Sequence, residues 1–494
     1  MRALSKSKLI AFRQCPKRLW LEVHRPELCV VSEDAKARFQ AGHEVGAVAR
    51  RLYDPAGTGV LIDPHAEGFD EAFARTRSLL ESSQPIFEAG FSAKGALAFA
   101  DIMLPVGEES ARSWRMVEVK STTSVKDYQR DDIAIQTFIA LAAVVRLDSV
   151  AVAYIDNSWV YPGGGDYKGL FHEEDLTEEA MSRGEEVEQW IKEAQKIVCL
   201  QDEPTIKTGA HCSAPFDCGF SDYCRGQEPQ AEYPAEWLPR LQTNAVKDFL
   251  NAHPNCDMRE VPDELLNDKQ KRVKAHTLSG ETFFDRDRCA ADLVHHKPPL
   301  HFLDFETAQL AVPIWLGTKP YQQIPFQFSL HRLGEDGTLT HREFLDLSGN
   351  DPSEAFAKAL VDACGKSGTV FAYNAGFEKR VVKELAERFP RCANELLAIN
   401  ERVVDLLPIV REHYYHPSQQ GSWGLKKVLP AIAPDLSYTD LDGVQDGGMA
   451  MTAFLEAIDS RTLPERKAEI QKQLLKYCAL DTFALVRVLR FLEV

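Results

Sequence analysis

The chain has 494 residues, 44% hydrophobic and 27% charged, an ordinary balance for a globular protein of about two or three domains. Its formal net charge of −17 argues against an extended electrostatic grip on nucleic acid, although a nuclease concentrates carboxylates for metals and confines basic residues to one channel. No apolar run reaches the ~18 residues of a membrane span; the nearest, 133–145, is broken by Gln136 and Thr137, so a cytoplasmic protein without a membrane partner is expected.

In chain order, the first predicted element is a helix over 5–20 whose basic side chains Lys6, Lys8, Arg13, Lys17 and Arg18 bracket Cys15. They read either as a solvated face or as a rim that contacts phosphates. A second helix, over 35–52, carries Phe39, His43, Gly46 and Arg50 at helical spacing, and His43 and Glu44 are its candidate site residues. Three β-rich runs follow at 85–91, 97–105 and 113–120. Asp101 interrupts the second. In the third, Glu118 and Lys120 share one face while Val117 and Val119 occupy the other.

A carboxylate and an ammonium emerging together from a hydrophobic strand are costly to bury without a task. Asp101 and Glu118 are expected to hold a divalent cation such as magnesium, and Lys120 to orient an attacking water or stabilise charge developing on phosphorus. A helix over 131–146 carries Gln136 inward among Ile133, Phe138 and Leu141, and a strand over 150–155 completes an α-β-β-β-α-β order. Residues 160–200 hold a glycine triplet at Gly163, an acidic stretch at Glu173 and an amphipathic helix over 178–198.

Cys212, Cys218 and Cys224 are then separated by five residues each, with Cys15 far upstream. Residues 1–14 lack the apolar core of a secretory signal, so disulfides are not expected. Zinc sites build on closely spaced cysteine pairs, whereas the wider spacing with one distant ligand suits a four-iron cluster. Zinc and unligated core thiols remain the alternatives. The other cysteines, such as Cys29, Cys364 and Cys392, read as buried thiols.

On Cys15, Gly42-His43-Glu44, Asp101, Glu118-Val119-Lys120, Gln136 and Cys212, Cys218 and Cys224, residues 1–225 resemble the PD-(D/E)XK nuclease superfamily, specifically its RecB-like, CRISPR-associated exonucleases with an iron–sulfur cluster. The resemblance implies a 4Fe-4S cluster on the four cysteines that staples the domain closed. It also implies a catalytic Lys120 and Gln136 and a metal site drawn from His43 or Glu44, Asp101 and Glu118.

Residues 226–297 read as a partly helical connector that docks on both domains, because Trp237, Leu238 and Phe249 need burial. In a strand opening at Leu300, Asp304 and Glu306 share one side, with Leu303 and Phe305 on the other. Carboxylates at i and i+2 suit a two-metal site, whose ions sit about 3.5–4 Å apart and share a ligand. Further strands are expected at 326–332, 340–347 and 369–373, with a helix over 352–364 between the last two. Glu378 follows Asn374 and Phe377, Asp405 lies in an apolar run, and Tyr477 and Asp481 fall one helical turn apart.

From 298 to 494 this pattern looks like the DEDDy branch of the RNase H-like 3′-to-5′ exonucleases. The resemblance implies Asp304, Glu306, Glu378, Asp405 and Asp481 as ligands for Mg2+ or Mn2+ and Tyr477 as the residue positioning the attacking water. Glu378 stands where most such enzymes carry Asp. The cluster His413, Tyr414, Tyr415, His416, Ser422, Trp423, Lys426 and Lys427 is read two ways: Trp423, Lys426 and Lys427 bind nucleic acid by stacking and phosphate contact, or the cluster packs a loop. No phosphate-binding G-x-x-x-x-G-K-[ST] loop occurs.

The expectation is an α/β protein with two mixed-sheet nuclease domains, restriction-endonuclease-like then RNase H-like, that cleaves DNA in repair or in processing and defence against foreign DNA. An RNA-processing exonuclease, or a nucleic-acid-binding protein with one or both sites inactive, is the alternative.

Overall fold

Ser5 and Pro16 shape the start of the fold. Ser5 Oγ accepts the Lys8 N–H at 3.3 Å and caps α1 (Lys6–Gln14). Pro16 disfavours helical backbone at the residue before it, so Cys15 is extended (φ −160°, ψ 119°) and α2 (Pro16–His24) begins afresh. The single helix expected over 5–20 is thus two helices with Cys15 at their junction. These elements come from a computed structural model, which describes residues 3–108, 112–241 and 244–493. It divides into unit 1 (Met1–Glu228 with Leu310–Tyr321) and unit 2 (Pro229–Gln309 with Gln322–Val494). Both units are α/β with mixed sheets.

Unit 1 is built on seven strands: β1 (Leu4–Ser5), β2 (Val60–Leu61), β3 (Ile86–Ala93), β4 (Ala96–Val106), β5 (Ser113–Lys120), β6 (Leu147–Ile155) and β7 (Phe171–Asp175). Their order is β2-β3-β4-β5-β6-β7, with β1 beside β4. α3 (Glu33–Tyr53) buries Val45, Val48 and Ala49 on one face of the sheet. α4 (Asp127–Ala142) is the crossover between the parallel strands β5 and β6 and packs on the other face, and α5 (Gly184–Val198) lies against α2. The helix expected over 131–146 stops at Ala142 because Val144 takes a positive φ of 67°. The one expected over 178–198 is interrupted at Arg183.

Side-chain alternation changes phase at one level of this sheet. In β3, Ile86 faces the main core and Phe87 the opposite side, but beyond Glu88 it is Ala89 and Phe91 that face the main core. In β4, Ala96, Ala98 and Ala100 face it, and beyond Asp101 so does Met103, while Ile102 turns away. The flanking pairs Phe87↔Ile102 and Ala89↔Ala100 set Glu88 opposite Asp101, and Glu88 has a φ of +57°. Such a backbone costs a non-glycine residue of order 1 kcal/mol or more.

Unit 2 has a five-stranded sheet of β8 (Leu300–Ala308), β9 (Ile324–Leu333), β10 (Leu339–Leu345), β11 (Thr369–Ala372) and β12 (Val403–Asp405). The order is β10-β9-β8-β11-β12; β8, β9 and β10 are antiparallel, and β11 and β12 run parallel to β8. The chain builds outward from β8 in one direction and then in the other. The crevice at the carboxyl ends of β8 and β11 is therefore a topological switch point, the usual place for a ligand site.

From Pro229 onward the residues expected to form a connector belong to unit 2, where Leu238, Trp237 and Phe249 pack in its core and α6 (Asp268–Ser279) is placed. α7 (Ser353–Cys364) and α8 (Gly376–Arg388) cover the face bearing Leu303 and Phe305. α9 (Leu406–His413) and the long α10 (Pro464–Leu492) cover the face bearing Phe302 and Phe371. Leu310–Tyr321 instead joins unit 1, where Ala311 and Val312 pack with Val45, Val48, Ile155 and Leu170.

Candidate functional site

In unit 1 the end of β5 projects Glu118 and Lys120 toward α4. Glu118 is 2% exposed, and its carboxylate is gripped on every side: Lys6 Nζ at 2.8 Å and Lys120 Nζ at 2.6 Å on Oε1, Gln136 Nε2 at 2.6 Å on Oε2. Burial alone would raise the Glu118 carboxyl, but Lys120 and Lys6 overcome it and hold it well below the usual range. Lys120 also reaches Asp132 Oδ2 at 2.6 Å, and despite burial the carboxylates of Asp132 and Glu118 keep its ammonium firmly protonated. Gln136 is fully buried; it positions Glu118 rather than meeting solvent, and its Oε1 has no partner.

Asp101 Oδ2 accepts the Val119 N–H at 2.7 Å, and burial together with the Glu118 charge raises its carboxyl well above the usual range. Asp101, Glu88, Arg50 and His43 line one cavity of about 190 Å³. Glu44 does not line it: one residue along a helix turns the side chain by ~100°, and Glu44 is exposed, bonded to Gln40 at 3.1 Å. Of the two α3 candidates, His43 is the one beside Asp101. Sequence reasoning missed Glu88 and Asp132, and placed Lys6 on the basic rim rather than on Glu118. An acid between Phe87 and Ala89 in a β-rich run was the available signal for the first.

The four predicted cysteines meet. Cys15, at the α1–α2 junction, lines one cavity with Cys212, Cys218 and Cys224. Gln14 ties the junction to the cysteine loop by donating to His211 O and Phe216 O, each at 2.7 Å. Burial raises the Cys218 thiol and pushes Cys224 up to about 11, so both are protonated without a metal. Among the described residues no three of these sulfurs gather within 4.8 Å, whereas tetrahedral zinc with Zn–S of ~2.3 Å needs sulfurs about 3.8 Å apart. Four thiols on one cavity are a donor set for a thiolate-bound metal centre. The expected phosphate rim is largely consumed by pairing: Arg13 with Asp131 at 3.3 Å, Lys17 with Glu203 at 3.1 Å and Arg18 with Glu22 at 2.9 Å.

In unit 2 the acids converge at the switch point. Asp304 and Glu306 end β8, Glu378 begins α8, and Asp481 sits on α10 one turn from Tyr477. Glu306, Glu378 and Asp481 are all less than 10% exposed. Burial and mutual repulsion raise Asp304 well above the usual range and push Glu306 up to about 8. Burial pushes Glu378 to about 7 and Asp481 to about 6, the latter although Tyr438 donates to its Oδ1 at 2.6 Å. Glu378 Oε2 is buried without a partner.

Asp405 adjoins this group with one oxygen committed, since its Oδ1 accepts the N–H of Asn374 at 2.8 Å and of Leu407 at 2.9 Å. Burial first, then the surrounding carboxylates, holds the Tyr477 phenol protonated. Cys478, missed in the sequence, has its sulfur within 4.8 Å of ligand atoms of both Asp304 and Glu306.

Lys426 lies over the rings of Tyr438 (5.2 Å) and Tyr477 (5.6 Å), and its charge bears on Glu306 and Asp481. Lys427 is exposed, bonded to Gln420. Trp423 is 6% exposed and donates to Tyr414 O at 2.7 Å; with Tyr414 and Tyr415 it packs the loop in the core, which removes its face from base stacking.

Residues 301–424 match a family model described as a domain of unknown function, DUF2779. The match spans Asp304, Glu306, Glu378 and Asp405 and stops short of Tyr477 and Asp481. No curated protein matches the chain.

Proposed function

We propose that this chain is a metal-dependent nuclease with one phosphodiester-hydrolysing centre in each unit, acting on DNA in preference to RNA. The carrying observation is the unit 2 cluster: buried carboxylates from a strand and two helices, pushed toward protonation, with a Glu378 oxygen that has no partner. Like charges this close ionise together only when cations enter among them. Asp304, Glu306, Glu378, Asp405 and Asp481 would hold Mg2+ or Mn2+, which supplies charge neutralisation at the phosphate and a more acidic water.

The chain's own groups fit hydrolysis at a strand end. Tyr477, kept protonated beside Asp481, is a hydrogen-bond donor able to hold the attacking water. Glu378, one methylene longer than the usual Asp, supports the role because its charge bears on Asp304 and one of its oxygens is buried without a partner. The site at the carboxyl ends of a mixed sheet's switch point supports the RNase H-like DEDDy reading.

In unit 1, Asp101 with Glu88 and His43 would hold a cation, and Glu118 would join them by exchanging a lysine contact for the ion. Lys120, released from Glu118, offers a fixed positive charge to the scissile phosphate. The four thiols on one cavity support a metal centre there, which the resemblance makes a 4Fe-4S cluster. This supports the RecB-like PD-(D/E)XK reading. Repair or defence against foreign DNA is the setting that the resemblance suggests.

The test is degradation of 5′-labelled and 3′-labelled single-stranded DNA, with RNA alongside, by anaerobically purified wild type, Lys120→Ala and Asp304→Ala in Mg2+ or Mn2+. Each substitution is expected to abolish a different part of the product ladder, by 100-fold or more. Wild type that leaves every label intact on both nucleic acids overturns the proposal.

A further inference from the structure

Beside the unit 2 acid cluster lies a cavity of about 580 Å³, within the size range of small-ligand sites. Its walls come from three places: Arg240 in the segment that precedes α6, the start of α6 at Lys269, and Leu407 and Arg411 of α9 facing the loop Gly421–Gly424. Two bonds connect this wall to the acid cluster. The Leu407 N–H donates to Asp405 Oδ1 at 2.9 Å, and the Tyr373 hydroxyl, whose neighbour is Asp405, donates to Trp423 O at 2.5 Å. The same loop runs on to Lys426 over Tyr477.

The cavity's charges are not balanced internally. Lys269 is held by Glu412 at 2.6 Å and Asp268 contributes one negative charge, but Arg240 and Arg411 also line the space. Arg411 Nε is buried with no hydrogen-bond partner, and Arg240 is exposed at a positive φ of 51°. An unsatisfied buried N–H on a permanent cation calls for an acceptor, and planar guanidinium groups pair best with phosphate or carboxylate. Under the nuclease reading the anion at hand is the substrate's own phosphodiester. Leu407 and Trp423 also line the cavity.

We infer that this cavity receives one nucleotide of the strand whose 3′ end occupies the acid cluster, with its phosphodiester against Arg411 and Arg240. The inference rests on the exonuclease reading. Arg411 and the loop Gly421–Gly424 lie within the matched residues 301–424, whereas Arg240 and Lys269 lie outside them, so the subsite is completed by residues beyond the matched domain.

The test uses full-length protein carrying Lys120→Ala, so that 3′ trimming of a single-stranded oligomer reports unit 2 alone. Arg240→Glu and Arg411→Lys are compared with this parent across KCl concentrations on DNA and on RNA of the same sequence. The expected result is a KM raised at least fivefold with kcat within twofold, and a log KM against log salt slope shallower by about 0.7 per lost phosphate contact. Arg240 is exposed, so its variant remains informative if Arg411→Lys fails to fold by its melting curve. A parent that trims while Arg240→Glu leaves KM and slope unchanged overturns the subsite; a parent that trims neither strand overturns the exonuclease reading itself.

Discussion

Replacing Glu378 by glutamine is expected to stabilise metal-free unit 2 at pH 8 while abolishing its metal response. Glu378 is 4% exposed, one of its oxygens has no partner, and burial pushes its carboxyl from 4.5 to about 7. A carboxyl raised in the folded state adds stability through its bound proton; that stability is complete below pH 4.5 and lost as pH rises through about 7. At pH 8 the ionised side chain therefore costs about 3 kcal/mol, the gap from 4.5 to about 7 taken at ~1.36 kcal/mol per pH unit. Glutamine, neutral throughout, avoids that cost. In EDTA at pH 8 the unit 2 melting transition of Glu378→Gln should rise by roughly 6–12 °C, at about 2–4 °C per kcal/mol for a domain of this size. At pH 5.5 the gain should fall to about 1 kcal/mol. Saturating Mn2+ should then cancel most of that gain, adding ~2.7 kcal/mol to wild type at 100 times Kd and little to the variant. No gain at pH 8, or a gain undiminished at pH 5.5, refutes the view that Glu378 is held unpaired for a cation.

Three further outcomes follow from single positions. Gly421 has a φ of +74°, and a Cβ there would fall 1.5 Å from Trp237 O; Gly421→Ala should lower unit 2 stability by more than about 2 kcal/mol in urea unfolding, and a change under 0.5 kcal/mol contradicts the packing described. Glu88→Gly should relieve the positive φ by about 1 kcal/mol yet reduce unit 1 cleavage at least tenfold; retained cleavage would remove Glu88 from the site. Anaerobically purified wild type should carry about four iron and four sulfide per chain and Cys224→Ser far less; one zinc per chain instead would contradict the cluster assignment.

Much of the framework was legible because it depends on local rules. Period-two alternation located Ser113–Lys120 to the residue and put Leu303 and Phe305 opposite Asp304 and Glu306. Cysteine spacing brought Cys15 to the cavity of the other three. Trp423 was ambiguous for a physical reason: an amphipathic ring suits a core and a binding face equally, and only its 6% exposure and its bond to Tyr414 decide between them.

The sequence by itself determined the candidates for the chemistry, because carboxylates, thiols and a lysine at strand and helix periods are recognisable without neighbours. The tertiary structure alone decided which atoms each one meets. Lys6 and Gln136 reach Glu118 across 112 and 18 residues of sequence. Glu88 comes opposite Asp101 through a shift of strand phase that no periodicity announces. Residues 229–309 joined unit 2 and Leu310–Tyr321 joined unit 1 because burial of Leu238, Ala311 and Val312 depends on surfaces remote in the chain. Long-range packing and the repulsion of converging charges are properties of distance in space, which the order of residues does not encode locally.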